Sequence, residues 1–447
     1  MKKITMSAVA LTAIMGSFNS VSADGINILD DLVLDGEIRP RYEMVDDNNP
    51  NHATANAITA RTKLKVTGKL MGIDGLTASV GIISVNNFGY HSYNLPGTIN
   101  TPDAYTDGSK DYAVVNDPQY AMISNAEINY QIEDTLLHAG RGQVNLDNQR
   151  FIGTVGWRQL ERSYDTVFVA NNSIKNLSVL AAWVYGLQGV AEAATVDANT
   201  VLLHAAYTVN DALKITAYDY MIAAKKDALG GQGFDTYGLA LTGKVALSGV
   251  KLDYRAEYAM QDDATMKIQD TPAAVAADRF KADADYYNLD LGANISGIIA
   301  GVNYEVLSGA NNTGTETAFN PMLGTNHKFN GWADMFYVAT TPNGGLQDMN
   351  VRLGYKAKGL GKLLAVYHDF TADTNVMVDT NGNSSDDLGS EFDIVYTNKI
   401  PGVNGLTGLL KYADYSKGTA GNNAGDDTWR RDKQIFWAQL DYKFSTK

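Results

Sequence analysis

The 447-residue chain contains no cysteine and only nine prolines. Without cysteine it can form no disulfide, no iron–sulfur cluster and no Cys-ligated zinc site, and it has no thiol nucleophile. Charged residues make up 19% of the chain, below the roughly one quarter that is usual in soluble domains. The formal net charge is −14. Because an acidic chain is a poor ligand for nucleic acid, we expect no nucleic-acid partner.

Long apolar runs are also missing after the first residues. No later stretch reaches the roughly 20 apolar residues that a membrane helix needs. The N-terminus combines Lys2 and Lys3, a mostly apolar stretch over residues 4–18, and small residues at 21–23. These are the three parts of a secretory signal peptide. We therefore predict a signal peptide over residues 1–23 and a single mature domain over residues 24–447.

What the chain does have is alternation of apolar and polar residues, together with 42 glycines and 25 tyrosines. Over residues 58–70 one parity is mostly apolar, and the other carries Arg61, Lys63 and Lys65. A period of two residues is typical of a β-strand with one apolar and one polar face. The same pattern is found in residues 32–44, 250–260 and 436–444. Pro40 interrupts the first of these segments, and since proline cannot donate to a ladder we expect local distortion there.

Fourteen other segments alternate with weaker contrast, which brings the total to about 18 strands, most of them near the roughly 9–11 residues that cross a bilayer. They are residues 76–87, 122–132, 135–143, 163–171, 176–185, 199–209, 212–223, 235–247, 284–295, 298–308, 346–358, 362–370, 389–398 and 406–416. The links take turns between short and long, as in outer-membrane barrels with short periplasmic turns and long extracellular loops. Residues 331–341 also read as a strand, but a nineteenth strand would break this alternation, so we assign them to a loop.

The charges decide which face of the strands meets lipid. Four Lys or Arg of one strand turned towards lipid would cost about 8–16 kcal/mol as an upper bound, at about 2–4 kcal/mol each. We therefore predict an all-β fold, a transmembrane antiparallel β-barrel with an aqueous lumen, in preference to several packed soluble domains. The residues predicted to line the pore are Arg39, Arg41, Arg61, Lys63, Lys65, Arg141, Arg255, Arg352, Glu37 and Glu43.

Two interpretations of these pore residues stay open. Rings of Arg and Lys select anions, and arginine binds carboxylates through two hydrogen bonds. Alternatively, the same cations pair with neighbouring carboxylates and only brace the wall. A pore this wide also needs a constriction to be selective, and we expect the loop over residues 309–345 or the loop over residues 88–121 to fold inward. The candidate constriction residues are Arg150, Arg158, Trp332 and Asp334.

Three stretches resemble the alginate-export family of outer-membrane channels. They are residues 140–153 with their continuation through Gly156-Trp157-Arg158-Gln159 to Tyr164-Asp165, residues 326–334 with 345–348, and residues 367–370 with 389–393. Their order and spacing match the family pattern over most of the chain, except that Gly142 stands where the family tends to carry glutamine. The resemblance implies an 18-stranded monomeric barrel of the porin type. It does not establish alginate as the cargo, because fold does not fix cargo.

The function that fits these observations is that of a porin in the outer membrane of a Gram-negative bacterium, a passive diffusion channel for small polar or anionic solutes. The alternative within transport is export of an anionic polysaccharide such as alginate. We expect no enzyme activity; an outer-membrane hydrolase and an adhesin-type barrel are the rival hypotheses from other classes. The expected partners are outer-membrane lipid, lipopolysaccharide and the solutes, and we expect a monomer rather than a trimer.

No cofactor is predicted. The six histidines include no His-x-x-x-His pair, which argues against a zinc site. Residues 379–383 faintly resemble a calcium loop, although the sixth position lacks glycine and Glu391 lies one place beyond the expected bidentate acid.

Overall fold

The described part of the chain forms one closed antiparallel β-barrel of 18 strands. The computed structural model describes residues 22–23, 26–191, 195–223, 233–266, 281–310, 316–336, 344–374, 381, 383–420 and 431–447. Residues 1–21 of the predicted signal peptide, and residues 379, 380 and 382 of the calcium-like loop, lie outside these ranges. The strands are β1 (Leu29–Asp46), β2 (Ala55–Leu70), β3 (Leu76–Asn86), β4 (Ala121–Ile132), β5 (Thr135–Gly142), β6 (Ser163–Asn171), β7 (Leu177–Gln188), β8 (Val196–Asn210), β9 (Leu213–Ala223), β10 (Gly233–Leu247), β11 (Val250–Asp263), β12 (Lys281–Ile295), β13 (Ile298–Leu307), β14 (Leu346–Ala357), β15 (Gly361–Thr371), β16 (Asp387–Lys399), β17 (Leu406–Lys417) and β18 (Lys433–Ser445).

The barrel closes where β18 pairs with β1, with residues 434–445 running antiparallel to residues 35–46. Closure leaves no row of backbone N–H and C=O groups open to lipid. Pro40 lies in this seam. It stands opposite Ala60 of β2, but the ladder to β18 skips Arg39 and Pro40. This is the local distortion expected of a residue without an N–H donor.

Each of the 18 predicted segments coincides with one barrel strand, so the predicted fold class is confirmed. Short links join the strands at one end, and the turns Ser248-Gly249 and Ser296-Gly297 have positive φ at both residues. Such turns match the right-handed twist of the two strands that they connect. Residues 331–336, the described part of the ambiguous segment 331–341, form no strand.

The two parities of the strands face different surroundings. In β1, Glu37 and Arg39 are buried inside the barrel, while Ile38 between them is 42% exposed. Val302 of β13 and Leu353 of β14 are 47% and 64% exposed on the same outer side. A continuous apolar band around a closed barrel suits lipid. The outer face is therefore the apolar one, and the ionic side chains point mainly into the lumen.

Several short elements lie outside the 18 barrel strands. They are the strand pair Ser22–Ala23 with Ile26–Asn27, a small sheet of His52–Ala53, Thr106–Asp107 and Lys110–Tyr112, the strand Glu316–Thr317 beside β12, and a 3₁₀ turn at Asn326–Lys328. No helix among the described residues is long and apolar enough to span a membrane.

The lumen holds apolar packing as well as charge. Phe151 and Ile152 from one link between strands are buried with Phe319 and Leu323 from another and with the inward ring of Tyr286. Because links normally run over the outside of a fold, this packing shows that two long links turn into the barrel.

Candidate functional site

Two links form a plug inside the lumen. Lumen loop A comprises residues 143–162 between β5 and β6, and lumen loop B comprises residues 318–336 between β13 and β14. Loop A reaches β1, four strands away along the wall, where Arg158 Nη1 donates to Glu43 Oε1 at 3.0 Å. On another side the Phe151 ring packs against inward aromatic rings of β9 and β12. Loop A therefore crosses the pore.

Loop B is bonded to loop A. The Gly153 N–H donates to the Leu323 carbonyl oxygen at 2.8 Å. Arg158 also bridges the loops, because its Nη2 lies 2.9 Å from Asp334 Oδ2 while its Nη1 holds β1. The structure brings the four predicted constriction residues into these two loops: Arg150 and Arg158 in loop A, Trp332 and Asp334 in loop B.

From the sequence we expected residues 309–345 or residues 88–121 to fold into the lumen. Loop B lies within the first range. The second range contributes Asp117, whose Oδ2 accepts from Arg41 Nη1 at 3.3 Å. Loop A was not among the ranges expected to fold inward, although its Arg150 and Arg158 were named as constriction residues. The available signal was its three arginines in a link between two short strands.

A basic ladder runs down β1 and β2. Its members are Arg39, Arg41, Arg61, Lys63 and Lys65, all on the inward parity. Each has a carboxylate partner: Arg39 has Glu37 and Asp441, Arg41 has Glu43 and Asp117, Arg61 has Glu37 and Glu161, Lys63 has Glu161, and Lys65 has Glu127. The side chains of Arg41 and Arg61 are 0% and 1% exposed beneath loop A. Those of Lys63 and Lys65 are 22% and 31% exposed. The plug thus covers the upper ladder, and the lower ladder faces the periplasmic part of the lumen.

Two of the later predicted arginines also point inward. Arg255 Nη2 lies 2.6 Å from Glu257 Oε2, and Arg352 Nη2 lies 2.6 Å from Asp290 Oδ1. Pairing of this kind supports the interpretation that these cations brace the wall. Guidance of anions then depends on cations that are exposed or that can exchange partners.

Arg141 differs from the predicted arrangement. It shares the parity of Leu137, which is 41% exposed on the outer face. Its Nε and Nη2 bind the two oxygens of Asp165 at 2.6 and 2.7 Å. Gly142, not Arg141, takes the inward position before loop A. The structure therefore places Arg141 outside, near the extracellular end of β5, in an ion pair that cancels its charge.

Charge states in the loops follow from these contacts. Burial opposes ionisation of Glu161, yet the ladder cations hold the pKa of its carboxyl below the usual range. Burial likewise opposes ionisation of Asp334, and contacts with His327 and Arg158 hold the pKa of that carboxyl below the usual range. For Arg158, the nearby carboxylates overcome burial and raise its pKa. At neutral pH these ion pairs are therefore fully charged.

An acidic cluster holds both lumen loops against the wall. Its members are Glu305, Asp348, Glu391, Asp393 and the neighbouring His368. Arg150 Nη2 donates to Glu305 Oε2 at 2.9 Å, and the Ala333 and Trp332 N–H groups donate to Glu391 and Asp393 at 2.7 and 3.2 Å. Gly331 precedes these amides with a φ of 83°, and a Cβ there would collide with the Glu391 carboxylate. Only glycine allows this approach.

The three stretches that carry the family resemblance meet here. The first lies in loop A, the second in loop B, and the third in β15 and β16 beneath loop B. Arg158 joins the first to the second through Asp334, and the Ala333 amide joins the second to the third through Glu391.

A cage of aromatic rings surrounds one ammonium group. Lys411, inward on β17, is 6% exposed. Its Nζ lies 4.1 Å from the ring centres of Trp157 and Trp332 and 5.0 Å from that of Trp437. Aromatic faces attract cations, most strongly when the cation is desolvated. We call Lys411, these three tryptophans and His327 the lysine cage. It joins both lumen loops to β17 and β18.

His327 completes the lysine cage as a neutral ring. Its Nδ1 lies 2.7 Å from Asp334 Oδ1, and its Nε2 lies 2.7 Å from Lys411 Nζ. Burial lowers the pKa of His327 to about 4. The neutral imidazole donates from Nδ1 to Asp334 and accepts at Nε2 from Lys411, so one tautomer satisfies both neighbours. Sequence reasoning missed the cage; the available signal was that Lys411 and Trp437 fall on the polar parity of their strands.

We expect the plug to loosen as the pH falls from about 6.5 to about 4. The pKa of a released His327 is near its ordinary value of about 6.5, against about 4 when docked. The released form binds more protons in this window, so docking loses stability as the pH falls, by about 3 kcal/mol at most. Single-channel conductance should therefore rise between pH 7.5 and 4.5. The His327→Gln variant, which gains no charge, should lose this rise, and an unchanged pH profile would contradict the assignment.

No family model and no curated protein matches the chain. Several solved structures are similar to the chain. The chain is similar to OccAB2 of Acinetobacter baumannii, with 15% identity over 94% of this chain and 99% of that chain and a TM-score of 0.67. It is similar to OccK8 (OprE) of Pseudomonas aeruginosa, with 14% identity over 94% and 100% of the chains and a TM-score of 0.65. OpdK of the same organism, solved with vanillate, gives 13% identity over 94% and 100% and a TM-score of 0.66.

These likenesses show the fold. The chain forms a closed 18-stranded barrel with the same fold as these solved structures. The resemblance to the alginate-export family gains no support from them and stays a prediction.

Proposed function

We propose that the protein is an outer-membrane porin through which small polar or anionic solutes diffuse passively along a partly basic lumen. The observation that carries this proposal is the basic ladder. It leads from the partly exposed side chains of Lys63 and Lys65 up to the plug, where Arg41 contacts loop A and Arg158 of loop A binds loop B. A row of cations beside a narrow passage favours anions. OpdK, a structural neighbour, was solved with vanillate, a carboxylate of the size that we propose here.

We propose the cellular setting as well. The protein lies in the outer membrane of a Gram-negative bacterium after loss of residues 1–23, and its apolar outer face contacts lipid and lipopolysaccharide. It acts as a monomer, and passage of solutes requires no covalent chemistry. We do not carry forward export of a polysaccharide, because two interlocked loops cross the lumen and nothing in the comparisons favours it.

A salt gradient across a planar bilayer tests this proposal. We expect the reversal potential of the wild-type channel to report preference for chloride over potassium. The double variant Lys63→Glu, Lys65→Glu reverses the charge of the partly exposed end of the ladder and should bring the ratio of chloride to potassium permeability below one. Lys110→Glu, in an extracellular loop, is the matched control and should leave the ratio unchanged. Cation selectivity of the wild type, or a barrel that does not conduct, would contradict the proposal.

A further inference from the structure

We propose that Lys411 binds the carboxylate of the transported solute at the constriction, and that in the empty channel the three indole faces of the lysine cage take the place of that carboxylate. The inference rests on the proposed function and names its solute class, a single carboxylate on a flat apolar body.

The first observation is that Lys411 is buried without a carboxylate. Five Lys or Arg side chains of the described residues are more than nine-tenths buried: Arg39, Arg41, Arg61, Arg150 and Lys411. The four arginines each have a carboxylate partner. Among the described residues no carboxylate lies within ion-pair distance of Lys411, whose polar contact is the neutral ring of His327. A buried charge is costly unless it is paired, so this ammonium has more to gain from an incoming anion than the four paired arginines have.

The second observation is a pair of unused donors in the same cage. The indole Nε1–H groups of Trp157 and Trp437 are buried and have no acceptor among the described residues. Trp437 is fully buried. Buried donors are almost always hydrogen-bonded, and an exception calls for an explanation. The lysine cage therefore holds an ammonium without a bonded carboxylate and two indole N–H groups without an acceptor.

The walls of the cage define the rest of the solute. Trp157 and Trp332 are partly exposed and belong to the two lumen loops, whereas Trp437 is fixed in β18. A solute therefore approaches between the two loop indoles, whose flat apolar faces suit an aromatic or planar aliphatic body. When Lys411 turns from the rings to the solute carboxylate, both loops lose their shared contact. Solute binding and opening of the plug are thereby coupled.

Benzoate block of single channels tests this inference in the full-length protein. We expect benzoate to interrupt the current in a concentration-dependent way, and benzyl alcohol, which has the same ring without the charge, to have no such effect. Lys411→Met should raise the half-blocking benzoate concentration at least tenfold, and Lys411→Arg should keep it within threefold of wild type. Lys251→Met removes an inward lysine near the periplasmic turn of β11 and should leave it within twofold.

Quenching of tryptophan fluorescence by benzoate in detergent gives a second measurement that does not depend on conduction. Heat-modifiable gel mobility identifies the folded barrels to be compared. A folded Lys411→Met barrel whose benzoate affinity stays within twofold of wild type overturns the inference and leaves the proposed function standing. A wild-type channel without anion preference overturns the proposed function, and the fluorescence titration then still decides whether Lys411 binds the carboxylate.

Discussion

Replacing residues 318–336 with a short Gly-Ser linker should raise the single-channel conductance several-fold. An 18-stranded barrel is too wide for inward side chains to fill, so its lumen is an aqueous channel unless loops enter it. Loop B is half of the plug, and its removal also frees loop A from the Gly153 and Arg158 contacts. The strands on either side, β13 and β14, keep their ten cross-strand partners. Planar-bilayer recordings in the same salt measure the change directly.

A matched deletion keeps this experiment specific. Residues 100–103 lie exposed in another long extracellular loop, and their removal should leave the conductance within experimental scatter. If the variant that lacks loop B conducts like the wild type while its barrel remains folded, the two lumen loops do not limit the pore.

The strands could be predicted because lipid and water impose a period of two on every segment. In β2 the contrast is plain, since Arg61, Lys63 and Lys65 alternate with apolar residues and only one phase keeps them out of lipid. The alternation of short and long links then fixes the number of strands. This reasoning depends on residues within one segment, which a sequence displays directly.

The lysine cage could not be predicted in the same way. Trp157, Trp332, Lys411 and Trp437 come from four separate elements, and a sequence does not show which links enter the lumen. The predicted pore-lining position of Arg141 was wrong for a different reason. Arg141 shares the outward parity of Leu137 and Ala139, and the sequence does not show that Asp165 lies opposite it in β6 and pairs with its charge there.

Val302→Arg should lower the free energy of unfolding by about 2–4 kcal/mol, the cost of an arginine facing lipid near the middle of the bilayer. Val302 lies midway along β13 on the outward parity and is 47% exposed. Its cross-strand neighbours are Leu291 and Val351, also on the apolar outer face, so nothing there pairs with a cation. Guanidinium unfolding of the barrel in lipid vesicles measures the difference from wild type.

Asn303→Arg is the matched control, since it places the same side chain at the same depth on the opposite face. Asn303 points into the lumen, where its Nδ2 lies 3.3 Å from Asp290 Oδ2. A guanidinium there shares the Asp290 carboxylate with Arg352 and stays hydrated, so we expect the free energy of unfolding to change by no more than about 0.5 kcal/mol. Two adjacent positions differ this much in the cost of an arginine only if one faces lipid and the other faces water. Equal losses at residues 302 and 303 would show that the two faces meet the same surroundings, and the assignment of lumen and lipid would then fail for every strand that shares their alternation.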